Sequence, residues 1–243
     1  LFLFEPNMVL GQSNKIFINY CKKIFCYSNK IKKFPNKLKD KISLIPALLR
    51  KEFYSTNKAI DIRDKVNLLI IGGSQGAKIF DTSVQDLIFE LSKNYKLKVF
   101  QQANQKNFQD LAKFYIKNKI ENELFEFNND ISNYMSKSNI CITRAGASTL
   151  AELTFLNLPH IAIPLPGAKD NHQFENALFY EQQGCNWMIN QSDIGDIKLI
   201  QKIVKIIENK EEYLDKKRNM KGFTYENTWN NINQKITTTI NEN

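Results

Sequence analysis

The sequence predicts an α/β fold, a doubly wound parallel sheet, and three observations carry that prediction. Strand-like and helix-like segments alternate from Val66 to Ile189. The run Val66 to Ile71 is almost continuously apolar, as a strand buried on both faces must be. Glycines and hydroxyl residues crowd two strand-to-helix joints, 72–77 and 143–149, where sheets of this kind bind ligands.

The elements follow in order. Leu1-Phe2-Leu3-Phe4 has the pattern of a buried strand, and the absence of an initiating Met predicts a fragment or a gene that has lost its front end. Glu5-Pro6-Asn7 is a turn. Ser13 is expected to cap a helix that carries Ile16, Phe17, Tyr20 and Ile24 at helical spacing. Residues 27–42 are polar and lysine-rich and read as a surface segment, and the polar stretch 55–64 reads as a linker. Strands are then expected at 66–71, 97–100, 124–127, 139–143, 160–164 and 187–189. The helix after the first of them presents Phe80, Val84, Leu87, Ile88 and Leu91 on one face. Further helices are expected at 108–117, 131–136, 148–155 and 171–183, the last stopping at Gly184, with a helical tail at 193–208, 210–222 and 226–240.

Composition bounds the function classes. The 243 residues are 42% hydrophobic and 24% charged, enough for a sizeable core and ordinary for a globular chain. A formal charge of +9 and a pI near 9.2 point to an anionic partner, a membrane surface or nucleic acid, or to a merely solvated basic surface. No nucleic-acid motif or aromatic–basic stripe accompanies the charge, so the expectation is no nucleic acid. Cys21, Cys26, Cys141 and Cys185 form no CxxC pair and read as reduced thiols. With only His160 and His172, a histidine-rich metal site is not expected. No apolar run approaches the roughly 18 residues of a membrane-spanning helix.

Three loops carry candidate chemistry. Gly72-Gly73-Ser74-Gln75-Gly76-Ala77 lets backbone approach a phosphate at a helix start, or is simply a tight turn. It is neither GxGxxG nor a Walker loop. In Thr143-Arg144-Ala145-Gly146-Ala147-Ser148-Thr149, Ser148 and Thr149 either cap the next helix or donate to a diphosphate. Glu152, one turn further on, can accept from a ribose diol. The segment 164–176 places Asp170, Asn171, Gln173 and Asn176 together, polar groups suited to sugar hydroxyls and an acetamide, with capping by Asp170 or Asn171 as the alternative.

Taken together, "IIGGSQGAKIFD", "FNNDISNYMSKSNICITRAGASTLAEL", "PHIAIPLPGAKDNHQFENA" and the opening "FEPNMVLGQSNKIF" resemble the MurG family over residues 1 to about 190. The resemblance implies a GT-B glycosyltransferase fold, two α/β domains facing a cleft. The implied division is 1–50, the remnant of an N-terminal acceptor domain and linker; 51–225, the C-terminal UDP-sugar-binding domain; and 226–243, a C-terminal helix. It implies inverting transfer of N-acetylglucosamine from UDP-N-acetylglucosamine to undecaprenyl-pyrophosphoryl-N-acetylmuramoyl-pentapeptide, with no metal and no cofactor. Peripheral association with the anionic cytoplasmic face of the inner membrane is implied as well. By resemblance Asn7 and Arg50 match donor-binding positions, and Ser74 lies near the diphosphate. Asn128 meets uracil through its backbone, Ala147, Ser148, Thr149, Leu150, Ala151 and Glu152 line nucleotide and ribose, and Gln173 with Asn176 reads the sugar.

Two departures stand out. The family's Glu-Gln-Asn is Glu5-Pro6-Asn7 here, and its Gly-Asn-Pro before the arginine is replaced by residues leading through Pro46-Ala47-Leu48-Leu49 to Arg50. The family's glycine-rich loop with its histidine, which carries acceptor contacts and the general base, would precede residue 1. The alternative reading is therefore a non-catalytic donor-binding remnant of such an enzyme.

Overall fold

The computed structural model describes residues 1–72, 78–126, 130–194 and 197–242. Among them the strands form two parallel sheets. The first has the order β1 (Phe2–Glu5), β2 (Lys23–Cys26), β3 (Ile42–Leu44), with helix α1 (Gln12–Phe17) between β1 and β2. The helix differs from expectation: Gly11, not Ser13, stands at its N-cap, and it ends at Phe17. Ile24 is fully buried in β2, so its helical spacing from Tyr20 is a coincidence of a short strand following a short helix. The lysine-rich segment is also more than surface. Ile31 and Phe34 turn inward from it to join Met8, Leu10, Ile18 and Ile24 in a small core.

The second sheet has the order β6-β5-β4-β7-β8-β9. Its strands are β4 (Val66–Ile71), β5 (Leu97–Gln102), β6 (Glu121–Phe125), β7 (Ile140–Thr143), β8 (His160–Ala162) and β9 (Asn186–Met188). The helices in chain order are α2 (Lys78–Ser83), α3 (Gln85–Asn94), α4 (Phe108–Lys117), α5 (Ile131–Lys137), α6 (Ala147–Phe155) and α7 (His172–Gln182). After β9 come α8 (Ile197–Glu208), α9 (Lys210–Thr224) and α10 (Trp229–Asn241). The single helix expected after β4 is interrupted at Val84, yet Phe80, Val84, Leu87, Ile88 and Leu91 still line one core. The helix α7 does stop before Gly184, whose φ of 70° is open to glycine.

Strand β4 shows why its sequence is apolar at nearly every position. Leu68 and Ile70 pack with Phe80, Ile88 and Ile203 on one face, while Leu69 and Ile71 pack with Cys141, Leu150 and Met220 on the other. Each fully buried side chain of this size contributes about 1.5–3 kcal/mol. The linker is anchored to the second core by Phe53, which is fully buried. Lys58 Nζ donates to Phe155 O at 2.6 Å and Ala59 N to Leu156 O at 2.8 Å, so the linker caps the carbonyl end of α6. Helix α10 returns to the first sheet, where the Thr239 and Ser43 hydroxyls are 3.1 Å apart.

His160 is the one fully buried imidazole. It lies on β8 between Cys141 and Asn186, with Nδ1 2.9 Å from Leu158 O, while Nε2 has no partner. The carbonyl assigns the proton to Nδ1. Burial lowers its pKa to about 4, because charging the ring would place a cation in the core. The unfolded chain takes up a proton near pH 6.5 and the folded chain does not, so stability falls with pH between about 6.5 and 4. The expected loss is about 3 kcal/mol in urea unfolding across that window. His160→Phe should remove this component, and an unchanged pH slope in the variant would contradict the assignment.

Candidate functional site

The topology locates the site. From β4 the chain runs outward to β5 and β6, then returns to the other side of β4 as β7. The crevice of an open α/β sheet lies at such a switch, at the carboxyl ends of the strands. Here Ile71 pairs with Thr143 and Thr143 with Ala162, so the loops after β4, β7 and β8 leave the sheet side by side. Gly72 N donates to Gln102 Oε1 at 3.1 Å, which fixes the exit from β4. Ser74 and Gly76 of this loop, and Asn128 after β6, lie outside the described residues.

The loop after β7 ends at Gly146, the N-cap of α6, and no side chain caps the helix. Ser148 is exposed and Thr149 half-buried, and neither hydroxyl bonds to the protein among the described residues. The capping alternative is therefore not taken, and the first N–H groups of α6 face the crevice edge unused by side chains. Leu150 and Ala151 are buried, so their side chains belong to the core. Glu152 is buried as well, and Arg50 of the linker meets it in a two-pronged pair: Nε to Oε1 at 2.9 Å and Nη2 to Oε2 at 3.2 Å. Burial raises the Glu152 pKa above the usual carboxylate value, and the guanidinium pulls it part of the way back. Each oxygen retains a second lone pair for a hydroxyl donor.

The loop after β8 holds two non-glycine residues in the left-handed region, Asp170 at φ 56° and Asn171 at φ 57°. Asp170 does not cap α7. It accepts from Lys33 Nζ at 2.7 Å and Gln12 Nε2 at 2.8 Å, with Lys15 Nζ at 3.7 Å, which ties the first sheet's lobe to this loop. The Lys33 and Gln12 bonds hold its pKa down to about 2. Gln173 Oε1 accepts from Leu165 N at 3.0 Å and closes the loop, leaving its amide nitrogen unengaged among the described residues.

Asn176 is buried, and its amide is spent within the protein. Oδ1 accepts from Met8 N at 2.9 Å, while Nδ2 donates to Asn7 Oδ1 at 3.1 Å and Ala145 O at 3.2 Å. The turn it grips is built by Glu5, also buried. One Glu5 oxygen accepts from the Asn7 backbone and amide, both at 3.1 Å, and the other from Gly11 N at 2.6 Å and Asn14 Nδ2 at 3.0 Å. A side chain at Gly11 would begin 3.1 Å from that oxygen, so anything larger than glycine would push the carboxylate back by a few tenths of an ångström.

Comparisons with known proteins bear on the family and the fold. The model of the glycosyltransferase family 28 C-terminal domain matches residues 67–232. A Pelagibacter ubique UDP-N-acetylglucosamine--N-acetylmuramyl-(pentapeptide) pyrophosphoryl-undecaprenol N-acetylglucosamine transferase is 63% identical over all 243 residues, which span 68% of its length. The Rickettsia bellii protein of the same name is 36% identical over 85% of this chain and 60% of its own. The chain belongs to the MurG family. Its fold is likewise that of the Acinetobacter baumannii MurG crystal structure, with a TM-score of 0.77 at 21% identity, covering the whole of this chain and 67% of that one. A Polygonum tinctorium UDP-glucosyltransferase gives a TM-score of 0.65 at 11% identity over 90% of this chain and 53% of its own, a likeness of fold.

Against the family motif, the structure brings Asn7, Arg50, Glu152, Gln173 and Asn176 to the carboxyl edge of the sheet with the start of α6. It gives Asn7 and Asn176 to each other, and Arg50 to Glu152. Sequence reasoning passed over Arg144 and the partners of Asp170. Arg144 directly follows a strand in Thr143-Arg144-Ala145-Gly146, which was the available signal; no spacing connects Lys33 or Gln12 with Asp170. Asn176→Ala would strand Met8 N, Asn7 Oδ1 and Ala145 O, and should lower stability by about 2–4 kcal/mol in urea unfolding. Wild-type stability in that variant would show that the tether is not a real constraint.

Proposed function

We propose that this chain holds the donor half of an inverting transfer of N-acetylglucosamine from UDP-N-acetylglucosamine to undecaprenyl-pyrophosphoryl-N-acetylmuramoyl-pentapeptide, in peptidoglycan synthesis. One observation carries the reading. The polar groups without a protein partner among the described residues, the Ser148 and Thr149 hydroxyls and the Gln173 amide nitrogen, fall along the same crevice edge at the β4–β7 switch.

The chemistry follows from charge. As the acceptor hydroxyl attacks the anomeric carbon, negative charge grows on the departing diphosphate. The α6 N-terminus, Ser148 and Thr149 donate to it, and Arg50, held in place by its pair with Glu152, adds a guanidinium donor. Glu152 accepts from the ribose diol through its remaining lone pairs, Ala147 lines the nucleotide through its backbone, and Gln173 meets the sugar hydroxyls. Ser74 and Asn128 keep their family roles at the diphosphate and the uracil. Asn7 and Asn176 act through the shape of the cleft, since their amides hold each other. Proton removal from the acceptor falls neither to Glu5, which is saturated by four donors, nor to His172, whose Nδ1 is 2.7 Å from Lys169 O on the donor side.

The same reading places the chain on the cytoplasmic face of the inner membrane as a peripheral protein. Ile16, Phe17 and Tyr20 are exposed beside Lys15, Lys22 and Lys23, a mixed apolar and basic surface suited to anionic lipid. No described helix is long and apolar enough to cross a membrane. Co-sedimentation with anionic vesicles should fall on adding salt, and equal binding to neutral vesicles would count against this placement.

Calorimetric titration tests the donor assignment. UDP-N-acetylglucosamine should bind in preference to UDP-glucose and ATP, and Gln173→Ala and Glu152→Ala should each weaken it by about tenfold or more. Equal affinity for ATP, or indifference to both substitutions, would refute it.

A further inference from the structure

The donor contacts leave the burial of Arg144 without a purpose. It follows Thr143 at the end of β7 and is only 7% exposed. Its guanidinium donates to three neutral acceptors: Nη1 to Ile163 O and Pro164 O, both at 3.3 Å, and Nη2 to Gln191 Oε1 at 2.6 Å. Its carbon lies 5.1 Å from the centre of the Phe80 ring in α2. One side chain thus joins the ends of β7 and β8, the 191–193 turn after β9 and the helix that follows the glycine loop.

These partners satisfy hydrogen bonds but supply no negative charge. The described carboxylates on the adjoining segments have other partners. Asp81, buried next to Phe80, accepts from Asn104 N at 3.3 Å and Asn107 Nδ2 at 2.7 Å; Asp193 accepts from Ser192; Glu152 is paired with Arg50. No ion pair to Arg144 exists among the described residues. Burying a cation without a counter-ion opposes folding, and a neutral donor would serve as a clamp without that opposition. A net charge in this place becomes favourable when an anion arrives in front of it.

We propose that Arg144 is a charge-positioning residue of the donor site: a buried guanidinium with no counter-ion among the described residues, which locks the crevice loops in register and directs its positive potential at the diphosphate. The inference rests on the donor reading and extends it to a residue that need not touch the ligand. It separates Arg144 from Arg50, whose charge is already balanced by Glu152 before any donor binds.

The test is calorimetric titration of the full chain, wild type, R144Q and R144K, with UDP and with uridine. R144Q keeps a hydrogen-bond donor and loses the charge. It should lose about tenfold or more in UDP affinity while uridine affinity stays within about threefold. R144K keeps the charge and should recover most of the UDP affinity. Parallel loss of UDP and uridine binding in R144Q with no rescue by lysine would reduce Arg144 to a structural clamp and overturn the proposal. Undiminished UDP binding by R144Q would overturn it too. Should R144Q not fold, as read by circular dichroism, R144K decides alone: near wild-type UDP affinity supports the charge, and a tenfold loss rejects it. A folded wild-type chain that binds neither probe overturns the donor reading and this inference with it.

Discussion

The buried amide of Asn176 joins three pieces of chain that would otherwise be free to drift: the turn after β1, the loop after β7 and helix α7. Its oxygen and both of its hydrogens are used, so a small rotation of either lobe breaks at least one bond in a place water does not reach. The rest of the crevice inherits its shape from that fixed point. Glu5 shapes the turn that Asn176 grips, and Gly11 is small enough to let the carboxylate close on it. Just before α7, Asp170 gathers Gln12, Lys15 and Lys33, a partly exposed counterpart that salt and acid can loosen while the amide tether holds.

Charge around the crevice is held by fixed partners. Arg50 and Glu152 cancel each other where a ribose and a phosphate would meet. Arg144 bonds only neutral acceptors among the described residues, and the start of α6 adds the partial charge of N–H groups that no side chain caps. A leaving diphosphate needs stabilisation that is already oriented when its charge appears, and groups held by a packed core provide it with little reorganisation. The same core keeps Leu150 and Ala151 inward, which fixes the phase of α6 and therefore which of its hydroxyls look outward.

Much of this was legible in the residues. The strand–helix alternation gave the large sheet because β4, β7 and their neighbours are buried on both faces and leave continuous apolar runs. The glycine and hydroxyl loops pointed to the carboxyl edge because few other constraints ask for small residues there. The first lobe was harder to read. Strands β2 and β3 are short and flanked by lysines, and Ile31 and Phe34 reach a core from within a polar segment. The pairings of Arg50 with Glu152, Asn7 with Asn176 and Lys33 with Asp170 join residues far apart in the chain, and no local pattern encodes them.

The central claim is that the donor sits at the β4–β7 switch, gripped from the first lobe and the linker. Hydrogen–deuterium exchange of the chain with and without UDP-N-acetylglucosamine tests it most directly. The account predicts added protection at the start of α6, in the loop after β8 and around Arg50, with the lysine-lined hollow at the opposite end of the sheet, near Lys96 and Lys119, unchanged. Protection confined to that hollow, or none at the crevice under saturating donor, would contradict it.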